Sequence, residues 1–295
     1  MKKYAIITAC NAKYEKFLLN HWLKSLLNNI NTKLINIIVL DYGLSKEYVK
    51  NLKSKGIKVI PCKPEGHIVN QRFSDTKRFL KKNSYQQIIF CDSGDIIFQE
   101  DITHLFLKEN KNFRIITEKL KNPFYKYLMI NNPIKKELKI KIINLLKKNP
   151  MINAGFIIAP KNEFIELCEF VENNILEKNT FGPDQFLINL FLYEKGFIEL
   201  ENKFNFIPLV SAEKFKIKRG IFFNEKDEII PIVHNAGNLS FVRSIDNFGY
   251  GERFNKLKRH IYFLFRISSK IYTSIYLNKI YKTIQNNNWF LYFYH

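Results

Sequence analysis

Two aspartates, Asp92 and Asp95, stand a serine and a glycine apart at the end of the apolar run Ile88-Ile89-Phe90-Cys91, and a second apolar run, Ile96-Ile97-Phe98, follows directly. The first run has strand length, so both acids fall where a buried strand meets solvent. A carboxylate beside a core needs a cation, N–H donors or water, because an isolated charge there is costly. Ser93 and Gly94 take up little room, which lets both carboxylates turn toward one ion. Hard oxygen ligands suit Mg²⁺ or Mn²⁺, ions that also hold diphosphates. The same four residues are good turn chemistry, with Asp and Ser favouring side-chain-to-backbone turns and glycine supplying positive φ.

Three later stretches set small and polar residues beside apolar runs: Asn153-Ala154-Gly155, Gly182-Pro183-Asp184-Gln185 and His234-Asn235-Ala236-Gly237. Ala154 and Gly155 permit close backbone approach, and Asn153 offers a donor and an acceptor to sugar hydroxyls; the alternative is a turn into a core strand. Pro183 suits the first turn of a helix and Asp184 its positive end. The functional alternative is that Asp184 and Gln185 line the site where bonds break. His234, at the end of Ile229 to Val233, can complete a metal site that already has two carboxylates, or serve as a structural hydrogen-bonding histidine.

The elements that must position these residues alternate. Strands are expected at Tyr4 to Ala9, Ile35 to Leu40, Lys58 to Pro61 and Ile88 to Cys91, with helices at Phe17 to Leu27, Lys46 to Lys55 and Gln71 to Lys82 between them. Such alternation predicts a parallel sheet covered by helices, which binds ligands beyond the carboxyl ends of its strands. Thr8, Ala9, Asn11, Asp41 and Tyr42 are then placed to meet a nucleoside, with a turn or cap as the alternative for Asp41. Arg72 and Asp75 on the third helix are candidates for phosphate contact or for a solvated helix face.

Farther along, a strand is expected at Phe113 to Thr117, an amphipathic basic segment at Ile134 to Lys148, and a helix at Asn162 to Glu177. Phe204 to Pro208 reads as a strand, and Glu213 to Glu228 as an exposed loop or hairpin. The 134–148 segment suits a packed helix, a cover over the site or a membrane face. No Gly-x-Gly-x-x-Gly follows the first strand and there is no phosphate-loop motif, which counts against a dinucleotide fold and a P-loop ATPase.

The chain has 295 residues, 46% hydrophobic and 25% charged, enough for a sizeable core. Its formal net charge of +20 suggests anionic substrates or surfaces, but lysine is abundant everywhere, so nucleic acid is not an expected partner. Cys10, Cys62, Cys91 and Cys168 form no Cys-x-x-Cys pair and read as free thiols. The first apolar run is too short for a signal peptide, and no uncharged stretch reaches spanning length, so a cytoplasmic place is expected, including the inner face of a membrane. From Arg253 onward there is no acid. Lys256, Lys258, Arg259, Arg266, Lys270, Lys279 and Lys282 alternate with apolar residues, and Trp289 to Tyr294 closes the chain with aromatics. Residues 254–284 suit amphipathic helices at an anionic lipid interface, or packing on a partner or on the main domain.

Taken in order, Asp92-Ser93-Gly94-Asp95, Asn153-Ala154-Gly155, Asp184-Gln185 with Asn189, and His234 with Gly237 resemble the signature set of GT-A glycosyltransferases, in particular the group containing glycogenin and the lipopolysaccharide galactosyltransferases. The resemblance covers about residues 4–240. It implies a GT-A, Rossmann-like α/β fold with a mixed, mainly parallel sheet. A nucleotide-binding half at 1–100 and an acceptor and donor-sugar half at 101–250 would precede a basic helical tail at 251–295.

It also implies a nucleotide-diphosphate-sugar donor, a glycan or lipid-linked acceptor of the cell envelope, and a Mn²⁺ or Mg²⁺ ion held by Asp92, Asp95 and His234. Ser93, Gly94, Asn153 to Gly155 and Gly237 would touch substrate, and Gln185 or Asp184 would lie beneath the anomeric carbon with retention, or Asp184 would serve as general base to an acceptor hydroxyl with inversion. The family's usual Asp-x-Asp is here Asp-x-x-Asp, and its tryptophan-containing continuation after the histidine and glycine is missing. The competing functions are a sugar nucleotidyltransferase, which would want a glycine-rich loop after the first strand, and a basic binding protein for lipid or nucleic acid.

Overall fold

The structure is a computed structural model that describes residues 2–107, 111–123, 128–129, 131–237 and 239–276. The expected aromatic close at Trp289 to Tyr294, and the tail beyond 276, lie outside the described residues.

The chain opens with β1 (Tyr4–Cys10), then a continuous helical run, α1, built from Glu15–Phe17, Leu18–Leu23 and Lys24–Asn29. Its middle stretch is π-helical, which the 3.6-residue spacing from Phe17 to Leu27 did not predict. There follow β2 (Ile35–Asp41), α2 (Lys46–Ser54), β3 (Lys58–Pro61), α3 (Ile68–Lys81), β4 (Gln87–Cys91) and β5 (Ile96–Phe98). Helix α3 begins three residues before its expected start because His67 caps it, its Nδ1 accepting from the Val69 N–H at 3.4 Å.

Next come β6 (Arg114–Ile115), α4 (Lys136–Lys148), β7 (Phe156–Pro160), α5 (Lys161–Asn174), α6 (Pro183–Lys195) and β8 (Ile198–Glu199). Helix α4 buries Ile142, Ile143 and Leu146 in the core, so of its three expected roles it takes the packed one. Gly182 stands before α6 at φ 101°, a left-handed turn that glycine makes at little cost, and Pro183 opens the helix.

The main sheet has seven strands in the order β3-β2-β1-β4-β7-β6-β8. β1 pairs parallel with β2 and β4, and β2 with β3, whereas β7 runs antiparallel to both β4 and β6. The sheet is thus mixed and mainly parallel, as expected. Side chains alternate between its faces: Ala5, Ile7, Ile88 and Phe90 join one core with α3 to α6, while Tyr4, Ile6, Ile89 and Cys91 join the other with α1. Burial on both faces explains why the strands read as continuous apolar runs.

Two corrections concern the later strands. Phe204 to Pro208 is not a strand; Asn202–Asn205 is a 3₁₀ turn, and Phe206 makes a single parallel bridge to Val233. The charged stretch forms the hairpin β9 (Lys216–Lys218) and β10 (Ile221–Phe223), and β11 runs from Ile232 to His234, so the histidine lies inside its strand rather than after it. A short ribbon of β12 (Ile245–Asp246) and β13 (Lys256–Leu257) precedes α7 (Arg259–Ile271), which takes up part of the expected helical tail. No described helix is long and apolar enough to cross a membrane.

Candidate active site

The site is built where β4 ends. Asp92 follows its last residue and donates its backbone N–H to the Gly155 carbonyl at 2.9 Å, so the start of β7 lies against it. Asp95 immediately precedes β5, whose antiparallel partner is β11, with His234 registered against Ile96. The Asn235 N–H donates to the Asp95 carbonyl at 2.8 Å, which locks that register. Asp92, Asp95 and His234 thereby converge, each offering one ligand atom within 4.8 Å of the others.

His234 Nε2 is 3.4 Å from Asp95 Oδ1 and 3.7 Å from Asp92 Oδ2, and it is buried with no hydrogen-bond partner among the described residues. A buried ring nitrogen facing two carboxylates fits a divalent cation, and the mix of carboxylate oxygen and imidazole nitrogen suits one. Burial opposes protonation of His234, but Asp95 and then Asp92 outweigh it and hold its pKa above the usual histidine value. Burial likewise works against charge on Asp95, yet His234 and Arg243 overcome it and lower its pKa.

A chain of side chains behind the histidine sets which nitrogen faces the carboxylates. Asn153 Oδ1 accepts from the Gly155 N–H at 3.0 Å, so the other amide group of Asn153 must be its donor. That Nδ2 donates to Glu118 Oε1 at 3.2 Å. Asn205 Nδ2 donates to the same Asn153 Oδ1 at 3.0 Å, which turns Asn205 Oδ1 toward His234 Nδ1, also at 3.0 Å. Nδ1 must then carry the proton in the neutral ring, and Nε2 presents its lone pair to the site. Burial pushes the Glu118 carboxyl up to about 7, against the hydrogen bond from Asn153.

Two arginines balance the acids. Arg72, buried on α3 with its guanidinium over the Phe90 ring at 5.0 Å, pairs with Asp92 and lies 3.5 Å from Asp184 Oδ2. Asp184, in the first turn of α6, is pushed up to about 6 by burial, with Arg72 pulling the other way. Arg243 Nη2 is 3.1 Å from Asp95 Oδ2, and its Nε donates to the Gly237 carbonyl at 3.0 Å. The Arg243 guanidinium also sits 5.7 Å from the centre of the Tyr14 ring.

The glycines are small for steric reasons. A Cβ on Gly155 would lie 2.3 Å from His234 Cε1 and 2.9 Å from Asp92 Oδ2, and one on Gly94 would lie 2.8 Å from the Tyr14 ring. Gly155 forms the floor of the site beneath His234 and Asp92, whereas Ala154 is buried in the core and the Asn153 carboxamide is buried and turned into the relay. Gln185 and Asn189 fasten that floor. Gln185 Oε1 accepts from the Ala154 N–H at 3.1 Å, its Nε2 donates to the Ile152 carbonyl at 2.5 Å, and Asn189 Oδ1 accepts from the Ile152 N–H at 2.7 Å.

The expected nucleoside contacts cluster at the ends of β1 and β2, with different availability. Thr8 is fully buried and donates its hydroxyl to the Cys91 carbonyl at 2.7 Å, and the Ala9 carbonyl accepts from the Ser93 hydroxyl at 2.8 Å. Asn11 Oδ1 is buried without a partner among the described residues. Asp41 spends Oδ1 on the N–H groups of Gly43 and Leu44, at 2.9 and 2.7 Å, which is the turn role. The Tyr42 hydroxyl donates to buried Asp75, which also pairs with Arg78; burial first, and Asp75 second, raise the Tyr42 pKa.

Sequence reasoning did not single out Glu118, Asn205, Arg243 or Tyr14. The signal for Asn205 is a carboxamide inside the apolar run Phe204-Asn205-Phe206-Ile207, where only a bonded polar group is tolerated.

No family model matches this sequence, and no curated protein matches it. Solved structures do. An active-site mutant of LgtC is 16% identical, covering 79% of this chain and 87% of that one with a TM-score of 0.53. The apo bifunctional glycosyltransferase WbbM is 14% identical, covering 80% of this chain and 46% of that one at 0.53. The glycosyltransferase GlyE of Streptococcus pneumoniae TIGR4 is 16% identical, covering 96% and 64% at 0.52. At such identities the likeness is one of fold, and the fold is that of glycosyltransferases, as the order of motifs led us to expect.

Proposed function

We propose that this chain is a glycosyltransferase that moves a sugar from a nucleotide-diphosphate-sugar donor to a glycan or lipid-linked acceptor of the cell envelope. Residues 1–250 would be the transferase unit. The observation that supports it best is the convergence of Asp92, Asp95 and the partnerless Nε2 of His234 at the end of a central strand. Those three residues would hold Mn²⁺ or Mg²⁺, which when bound offsets the negative charge that grows on a departing diphosphate.

The chain's own residues do the rest. Arg72, fixed between Asp92 and Asp184 and stacked on Phe90, orients both carboxylates and pulls against the burial that raises Asp184. Gly155, having no side chain, lets His234 and Asp92 close against the backbone, and Gln185 keeps that floor from moving. Asn205 holds the His234 ring in one tautomer.

Retention of the anomeric configuration is the favoured outcome, because Asp184 is paired with Arg72 and so is a poor free base. One observation favours inversion instead: Glu118 borders the site with its carboxyl pushed up to about 7, the range of a general base. The anomer formed by the wild-type enzyme decides between them.

The test of the class is a panel of nucleotide sugars scored by thermal shift with and without Mn²⁺. A specific donor at a hundredfold excess over its Kd should stabilise the fold by about 2.7 kcal/mol. We expect one donor to do so only with the metal, and Asp92→Asn to abolish the shift. A shift that survives in Asp92→Asn without metal, or no shift from any donor, rejects the reading.

A further inference from the structure

Asp92 and Asp95 are treated alike by the fold: each gives one carboxylate oxygen to an arginine and turns the other toward His234. Arg72 pairs with Asp92 Oδ1, while Asp92 Oδ2 lies 3.7 Å from His234 Nε2. Arg243 Nη2 lies 3.1 Å from Asp95 Oδ2, while Asp95 Oδ1 lies 3.4 Å from the same Nε2. What faces inward is therefore one oxygen from each acid and one imidazole nitrogen. Arg72 is buried and also meets Asp184, so it belongs to the frame of the site. Arg243 has no such second acid, and its other contacts all serve to aim it.

Besides Asp95, Arg243 Nη1 donates to the Gly94 carbonyl at 3.4 Å and Nε to the Gly237 carbonyl at 3.0 Å, and the guanidinium lies 5.7 Å from the centre of the Tyr14 ring. One carbonyl belongs to the turn between β4 and β5, the other to the segment after β11. A Cβ on Gly237 would come within 2.9 Å of Arg243 Cγ, so the missing side chain makes room for the arginine. A lysine could neutralise Asp95 equally well. Only a planar guanidinium, donating in several fixed directions, also decides which carboxylate oxygen is taken.

We propose that Arg243 is a positioning residue that sets which cation the site accepts, by occupying Asp95 Oδ2 and so keeping Asp95 a one-oxygen ligand. Arg72 does the same for Asp92. The inference rests on the reading of Asp92, Asp95 and His234 as metal ligands. A donor set of one oxygen from each acid and one nitrogen leaves half of an octahedron open for water and diphosphate oxygens, which suits Mg²⁺ or Mn²⁺. Calcium takes about six to eight oxygens and often uses both oxygens of a carboxylate, so acids limited to one oxygen each serve it poorly. Charge does not make this choice, because these ions are all divalent.

The test is calorimetric titration of the full chain, as wild type, Arg243→Met and Arg243→Lys, with Mn²⁺ and separately with Ca²⁺. Wild type should bind Mn²⁺ the more tightly. Arg243→Met frees Asp95 Oδ2, so the ratio of the two affinities should move toward Ca²⁺ by about tenfold or more. Arg243→Lys keeps a charge beside Asp95 without the fixed fork, and its ratio should fall between. The ratio is the telling quantity, since a general loosening of the site would weaken both ions together. An unchanged ratio in Arg243→Met, or loss of both ions, overturns the proposal while leaving the metal reading in place. Should Arg243→Met fail to fold, the lysine variant decides: a shift toward Ca²⁺ supports the proposal and an unchanged ratio overturns it. Wild type that binds Ca²⁺ as tightly as Mn²⁺ overturns it as well, and wild type that binds neither rejects the metal reading with it.

Discussion

His234 and Asn205 lie 3.0 Å apart, ring Nδ1 to carboxamide Oδ1, and this contact decides which imidazole nitrogen looks at the two carboxylates. Asn205 is fully buried and its orientation is dictated in turn by Asn153, so the selection is made deep in the fold rather than at the rim of the site.

Asn205→Leu keeps the volume and removes the acceptor. We expect Mn²⁺ affinity, read by calorimetric titration, to fall about ten- to a hundredfold, the usual cost of losing a partner that orients a metal-binding histidine. Asn205→Asp should fall between, since its carboxylate still accepts from Nδ1 but meets the oxygen of Asn153. Unchanged affinity in Asn205→Leu would show that the ring needs no such partner.

Gly155→Ala forces a methyl group to within 2.3 Å of the His234 ring, against backbone that β7 and β4 hold in register. Overpacking of this kind costs about 1–3 kcal/mol, which urea unfolding will read, and Mn²⁺ binding should be lost with it. Gly56→Ala is the control. Its φ of +74° strains an alanine, but nothing lies within 4 Å of the new methyl, so stability should drop while metal binding stays.

Burial raises Glu118 from 4.5 to about 7 and Asp184 from 3.8 to about 6. Between the ordinary and raised values the folded chain holds a proton that the unfolded chain has released, so stability falls as pH rises through this window. His234, also raised, adds to the decline at higher pH, whereas lowered Asp95 acts oppositely and only below 3.8. His21 and His67, both lowered by burial, act the other way just below 6.5, so the test is a difference: in EDTA, the urea midpoint of Glu118→Gln should decline less with pH than that of wild type between about pH 4.5 and 7. Parallel profiles for the two proteins would contradict the raised Glu118 carboxyl.

Much of the fold was legible because the strands are buried on both faces and read as unbroken apolar runs, with helices between them at amphipathic spacing. Asp92 and Asp95 were legible for a related reason: ionisable residues directly after such a run need a partner. Asn205, Glu118 and Arg243 were not, since each acquires its meaning from a residue far away in sequence. Arg114 illustrates the same limit. It sits buried inside β6, donating to the Leu105 carbonyl and to Gln87, and nothing in its neighbourhood of the sequence announces that pairing. The π-helical stretch of α1 was invisible because its residues suit an ordinary helix equally well.

The ribbon of β5 and β11 has a consequence for the order in which the molecule is assembled. One of its strands carries Asp95 at its edge and the other ends in His234, so the third ligand arrives only after most of the chain has been synthesised. The closure entropy of such a loop grows only slowly with its length, but a pairing this distant in sequence is a non-local contact, and non-local contacts form slowly. Until then a nascent chain already has Arg72 available to neutralise Asp92, since both lie in its first third. The acids can thus wait, charge-balanced, for a histidine the ribosome has yet to release.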